Sequence, residues 1–150
     1  MEHRTLPGTT MAVSTICLGT SEYGTVVPAE DAFRLLDLFI ESGGTFLDTA
    51  LVYADWIPGT TSVSEKTIGR WLKVRGLRDE VVVATKGGHP GLATMHVSRL
   101  SPADIAHGVD ASLSGFFGRP VTLQRAAPDD FTIDQYHPDI EDLDPEGHRD

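Results

Sequence analysis

The sequence predicts an α/β fold built on a short parallel sheet, and three observations predict it. Short apolar runs rich in β-branched residues occur at Thr45-Phe46-Leu47 and Val81-Val82-Val83-Ala84-Thr85. A helical pattern lies between them. Each run ends on a charged residue, Asp48 in the first and Lys86 in the second. Runs of this kind read as buried strands. A strand–helix–strand unit makes its strands parallel neighbours, so both end on one rim. Asp48 and Lys86 then face each other, with the loop bearing Tyr53 above them.

The elements follow in order. Between short extended pieces, Leu6 to Val13 carries Pro7-Gly8, which suits a type II turn and a terminal hairpin. Ser14 to Leu18 is the first parallel strand, with Gly19-Thr20 at its exit. Glycine there lets a ligand approach the backbone, or simply makes a tight exit, and both readings stand. Pro28 to Ser42 is a helix whose inner face is Ala32, Leu35, Leu36, Phe39 and Ile40. Glu30 and Asp31 favour its N-terminus, and Gly43-Gly44 ends it.

After the strand that ends at Asp48, Asp55 to Thr61 reads as a loop with Pro58-Gly59. Trp56 in that loop either lines a largely apolar substrate pocket or packs on the loop itself. Ser62 and Glu65 form a capping-box pattern for a second helix with Ile68, Trp71 and Leu72 inside. The third strand ends in Lys86-Gly87-Gly88, and His89 to Arg99 is a loop. Ser101-Pro102 with Asp104 opens a third helix, whose inner face is Ile105, Val109 and Leu113. From Gly115 the pattern is lost. Phe116 to Pro120 reads as a break, and Val121 to Leu123 is short for a strand. Pro128, Pro138 and Pro145 suit loop or disorder.

Composition narrows the class. A length of 150 residues indicates one domain. No apolar run reaches membrane-span length, and MEHRTLPGTT has no signal-like apolar core. Cys17 is the single cysteine and reads as an inert core residue, which fits a reducing, cytoplasmic setting. The net charge of −10 is uneven. Residues 1–127 hold 13 acids and 11 bases, whereas residues 128–150 hold 9 acids and 1 base. The body is near neutral and the tail acidic, which argues against nucleic acid and for a solvated end. The histidines show no metal-binding spacing, and there is no G-x-G-x-x-G turn. Asp142 to Gly147 only begins a calcium-loop pattern, without its closing glutamate.

A carboxylate, a phenol and an ammonium on one rim can do proton chemistry. A free phenol titrates near about 10. An ammonium beside a phenol stabilises the phenolate, and a carboxylate orients the ammonium. Tyr53 so placed is a general acid toward a carbonyl oxygen. The same residues also make an ordinary Asp–Lys ion pair with an unrelated loop tyrosine, and spacing alone favours that plainer reading.

Five segments alter the balance. LGTSEYG (Leu18 to Gly24), FLDTALVYADW (Phe46 to Trp56), SEKTIGRWL (Ser64 to Leu72), VVVATKGG (Val81 to Gly88) and SPADIAHGVDASL (Ser101 to Leu113) resemble the aldo-keto reductase family in order and spacing. The resemblance covers about Arg4 to Leu113 and implies a (β/α)8 TIM barrel that reduces carbonyls with NADPH or NADH. It implies catalytic roles for Asp48, Tyr53 and Lys86, and cofactor contacts at Gly19, Thr20 and Asp48. It assigns no metal. A complete barrel needs about 250 residues. The expected fold is therefore the N-terminal portion of a barrel, about three βα units after a hairpin, with residues 1–114 as the partial barrel and 115–150 as an atypical acidic tail.

The family's fourth strand, which carries an active-site histidine, does not follow Leu113 in recognisable form. His137 stands too far on and in poorly apolar surroundings to take that role readily, and His107 reads as a surface or packing residue. The expected function is an NAD(P)H-dependent reductase of an aldehyde or ketone, truncated and weakly active or inactive alone. The alternative is a non-catalytic fragment from a shifted frame, or a pseudoenzyme that self-associates through open sheet edges. A Schiff-base role for Lys86 is disfavoured by the facing Asp48. No nucleic-acid or membrane partner is expected.

Overall fold

The computed structural model describes residues 1–91 and 93–118. Strands β1 (His3–Thr5) and β2 (Ala12–Ser14) pair antiparallel, with His3 opposite Ser14. Gly8 has φ 72, and the Thr9 amide donates to the Leu6 carbonyl at 3.1 Å. A positive φ at the second central residue is what a type II turn requires, so the Pro-Gly expectation holds.

The second sheet is parallel. Its strands β3 (Leu18–Gly19), β4 (Phe46–Asp48) and β5 (Val82–Ala84) lie in that order. Helices α1 (Ala29–Glu41) and α2 (Val63–Arg75) supply the crossovers, and α3 (Pro102–Phe117) follows β5. Leu18, Leu47 and Val83 stand in one row across the strands. They face the helices, where fully buried Leu36, Leu47, Ile68 and Trp71 make the core. Alternation sends Gly19, Asp48 and Ala84, the next row, to the other face. In the barrel that the resemblance implies that face is the inside, and among the described residues the sheet does not close.

The helices are joined by more than apolar contact. Asp37 on α1 accepts from the Trp71 indole at 2.8 Å and takes both ends of the Arg75 guanidinium at 3.0 and 2.8 Å. The bonds from Arg75 and Trp71 hold its carboxyl below the usual range. Gly69 permits the close crossing of α2 and α3, since a methyl group there would overlap the Phe116 backbone.

Several expectations are corrected. The first parallel strand is only Leu18–Gly19 rather than Ser14 to Leu18, because Ser14 already closes the hairpin and its hydroxyl receives the Thr45 amide. Leu35 is exposed, and Phe33 instead packs against the core with Phe39 and Ile40. Ser62 is left-handed (φ 50) and makes no capping bond. The Val63 amide points to Asp55 instead, at 3.4 Å, and Glu65 turns fully inside. On α3 the buried positions are Gly108 and Ser112, while Ile105 and Val109 are exposed. Small residues let α3 sit close, so its larger apolar residues are left outside. The helix also runs through Gly115, where the sequence pattern faded, to Phe117, with Gly118 left-handed as its C-cap. Cys17 is exposed rather than in the core. The readings of Val121 to Leu123, His137 and the acidic tail lie outside the described residues. Among the described residues, no helix is long and apolar enough to cross a membrane.

Candidate active site

The parallel register places Asp48 and the segment after Ala84 at one end of the sheet. Two backbone bonds extend that register beyond the strands. The Thr49 amide donates to the Ala84 carbonyl at 2.9 Å, and the Leu51 amide to the Lys86 carbonyl at 3.0 Å. Lys86 thus stands beside Asp48 and Thr49. Its Nζ donates to Asp48 Oδ1 at 2.6 Å and to the Thr49 carbonyl at 2.8 Å.

Tyr53 completes the group. The loop turns back on itself, the Tyr53 amide donating to the Ala50 carbonyl at 3.0 Å. Ala54, fully buried, takes a left-handed φ of 69 directly after Tyr53. Such a conformation is held only where the surroundings enforce it. The Lys86 ammonium lies 4.8 Å from the Tyr53 ring centroid, within cation–π range. Burial pulls the Lys86 ammonium down, but Asp48 and the Tyr53 phenol outweigh it and hold the group above the ordinary lysine value. The three residues are half open to solvent, so ligands can reach them.

The remaining expected residues take different positions. Gly19 is exposed in register with Asp48, and nothing lies within 4 Å of where a Cβ would stand. Thr20 is fully buried. Its amide and hydroxyl donate to the Asp48 carbonyl at 3.1 and 3.0 Å, so its side chain steadies Asp48 from below rather than facing the rim. Trp56 is 47% exposed on the loop. Cys17 precedes β3 on the Asp48 side. Burial pushes its thiol up, Asp48 adds to that, and Lys86 offsets part of it.

The sequence reading missed a buried hydroxyl network. Ser64 Oγ meets Thr20 Oγ1 at 2.9 Å and Thr49 Oγ1 at 3.0 Å, and donates to the Thr20 carbonyl at 2.7 Å. All three residues are fully buried. The network joins the exits of β3 and β4 to the start of α2, directly beneath the rim. The available signal was a hydroxyl residue flanking each candidate, Thr20 after Gly19 and Thr49 after Asp48. Among the described residues, no group of three or more His, Cys, Asp or Glu is placed to hold a metal ion. A cleft of about 520 Å³ opens beside the rim between Leu51, Asp55, Gly88, His89 and His107.

The family model "Aldo/keto reductase family" matches residues 15–135. The chain belongs to the aldo-keto reductase family. The match runs beyond Leu113, where the recognisable segments stop. Aryl-alcohol dehydrogenase [NADP(+)] of Phanerodontia chrysosporium is 43% identical over 93 residues, covering 56% of this chain and 23% of that protein. Norsolorinic acid reductase stcV of Emericella nidulans is 45% identical over 92 residues, 56% of this chain and 22% of its own length. A putative aldo-keto reductase structure from Pseudomonas aeruginosa matches with TM-score 0.63 and 31% identity, over 76% of this chain and 42% of that one. The holo form of an aldo-keto reductase from Bacillus halodurans matches with TM-score 0.61 and 28% identity, over 77% of this chain and 36% of that one. The matched part thus spans about a quarter of those curated relatives. The sheet and its helices are the partial counterpart of the family's barrel.

Proposed function

We propose that the rim serves NAD(P)H-dependent reduction of an aldehyde or ketone, with Tyr53 as proton donor. The observation that carries this reading is the convergence of Asp48 Oδ1, Lys86 Nζ and the Tyr53 ring at the distances above. Open space over Gly19, in register with Asp48, suits a flat ring laid against the strand exit. Gly19 and Asp48 are the proposed cofactor-side contacts, with Thr20 holding Asp48 in place. A reduced nicotinamide held there would supply the hydride that the carbonyl carbon needs. At the carbonyl oxygen, the Tyr53 hydroxyl gives up its proton and the alcohol forms. Lys86 stabilises the phenolate left behind, and Asp48 keeps Lys86 charged and aimed. Trp56 supplies an exposed apolar surface for an aromatic carbonyl, the class that the relatives' names indicate.

The test is a chimera in which residues 15–113 replace the matching segment of the Phanerodontia enzyme, assayed by NADPH oxidation with an aromatic aldehyde. Turnover that falls at least about a hundredfold in Tyr53→Phe is expected, the low end of what a general acid contributes. Turnover indifferent to Tyr53 overturns the assignment. The 150-residue chain by itself is expected to bind NADPH more weakly than micromolar and to turn over little, because among the described residues β3 and β5 each have one unpaired edge. Fluorescence quenching that gave micromolar NADPH affinity would contradict this. The second reading, a non-catalytic fragment with a lost frame after Ser114, is disfavoured by the family match continuing to residue 135.

A further inference from the structure

Glu65 was expected at a helix cap and is instead fully buried between α2, α3 and the end of β5. Its Oε1 accepts from the Thr85 hydroxyl at 2.7 Å. Its Oε2 is buried with no hydrogen-bond partner, close to Gly115 of α3. Thr85 is the residue immediately before Lys86. We propose that Glu65 is a positioning residue for Lys86, acting through Thr85.

The argument rests on strand geometry. Among the described residues, β5 is paired on one side only, to β4. The bonds from Thr49 and Leu51 fix the height of Ala84 and Lys86 along that strand. They do not fix rotation about the strand axis. Successive side chains point to opposite faces, so Thr85 turns toward the helices and Lys86 toward the rim. Anchoring Thr85 to Glu65 therefore sets the direction in which the Lys86 stem leaves the backbone. The bond that the Thr85 hydroxyl donates to Glu65 is the tie on the helix side that does this.

A buried carboxylate with an unpartnered oxygen is costly, and the neutral acid costs less. Burial pushes Glu65 up, and the Thr85 and Ser112 hydroxyls offset part of that. The loop's Asp55 adds to the rise, and Lys66 on α2 opposes it. The neutral acid can accept from Thr85 through Oε1 while Oε2 carries the proton. Gln at this position keeps the acceptor without the charge.

This inference rests on the reductase reading for its functional meaning, but its test does not need turnover. The chain has three lysines, Lys66, Lys73 and Lys86, so each ammonium can be resolved in the full chain by isotope-labelled NMR. Thr85→Val removes the hydroxyl and keeps the shape. The expected result is a displaced Lys86 signal that titrates nearer the ordinary lysine value in Thr85→Val and Glu65→Ala, with Lys73 unmoved. Glu65→Gln is expected to restore the wild-type Lys86 signal and to remove its change as Glu65 ionises. A Lys86 signal unchanged in folded Thr85→Val overturns the proposal, whether or not Glu65→Ala folds. So does a Glu65→Gln chain as displaced as Glu65→Ala. The same Thr85→Val change in the chimera, losing turnover with no loss of aldehyde binding, supports the role. An inactive chimera counts against the reductase reading alone, since the NMR result decides this one.

Discussion

At the residue scale, the site is a short chain of polar contacts on a hydroxyl foundation. Asp48 is gripped from below by Thr20, and Lys86 is gripped by Asp48 and the Thr49 carbonyl. Asp48 and Lys86 were legible in the sequence because each sits where an apolar run stops, and Tyr53 through the five segments that resemble the family. Thr49, Ser64 and Glu65 were not. Buried hydroxyls and acids have no periodic signature, and Ser62-x-x-Glu65 matched a local rule that the loop's left-handed Ser62 defeats. Ser64 is the hub of the foundation. Ser64→Ala leaves the Thr20 and Thr49 hydroxyls short of a buried partner, with an expected loss of about 1–3 kcal/mol in denaturant unfolding. A loss below a few tenths of that range would show the network to be dispensable.

At the element scale, two joints hold the helices. Asp37→Ala leaves the buried Trp71 indole without its acceptor and is expected to cost about 1–3 kcal/mol. The Arg75 pair adds little to that, being half exposed and screened. Because the folded Asp37 carboxyl titrates below its ordinary value, its contribution is present above that value and lost as pH falls through the lowered one. Urea unfolding against pH should therefore show an acid limb that Asp37→Ala flattens. Gly69→Ala would drive a methyl into the Phe116 backbone and cost about 1–3 kcal/mol through overpacking. The helices themselves were readable from periodicity on α1 and α2. On α3 the rule of large apolar residues inward failed, because Gly108 and Ser112 face inward where contact is closest.

At the scale of the whole molecule, three parallel strands after a hairpin and an open sheet were both foreseeable, the openness from the chain length against that of a full barrel. Among the described residues, the outer edges of β3 and β5 carry no partner strand, and Ile105, Val109 and Phe117 of α3 are exposed. Unpaired edges and apolar faces invite pairing with another chain. Self-association through these edges is the expected outcome, read as a sedimentation coefficient that rises with concentration. A monomer at every concentration would contradict it. The sheet's main consequence is that it carries Asp48, Tyr53 and Lys86 to one end, where the proposed proton chemistry needs them together. The direct test is the titration of the Lys86 ammonium by NMR across the alkaline range. The value is expected above that of an ordinary lysine in the wild-type chain. It should drop below the ordinary value in Asp48→Asn, where burial acts with less opposition, and fall by a smaller step in Tyr53→Phe. An ammonium that titrates identically in all three chains would mean that the three groups do not act together.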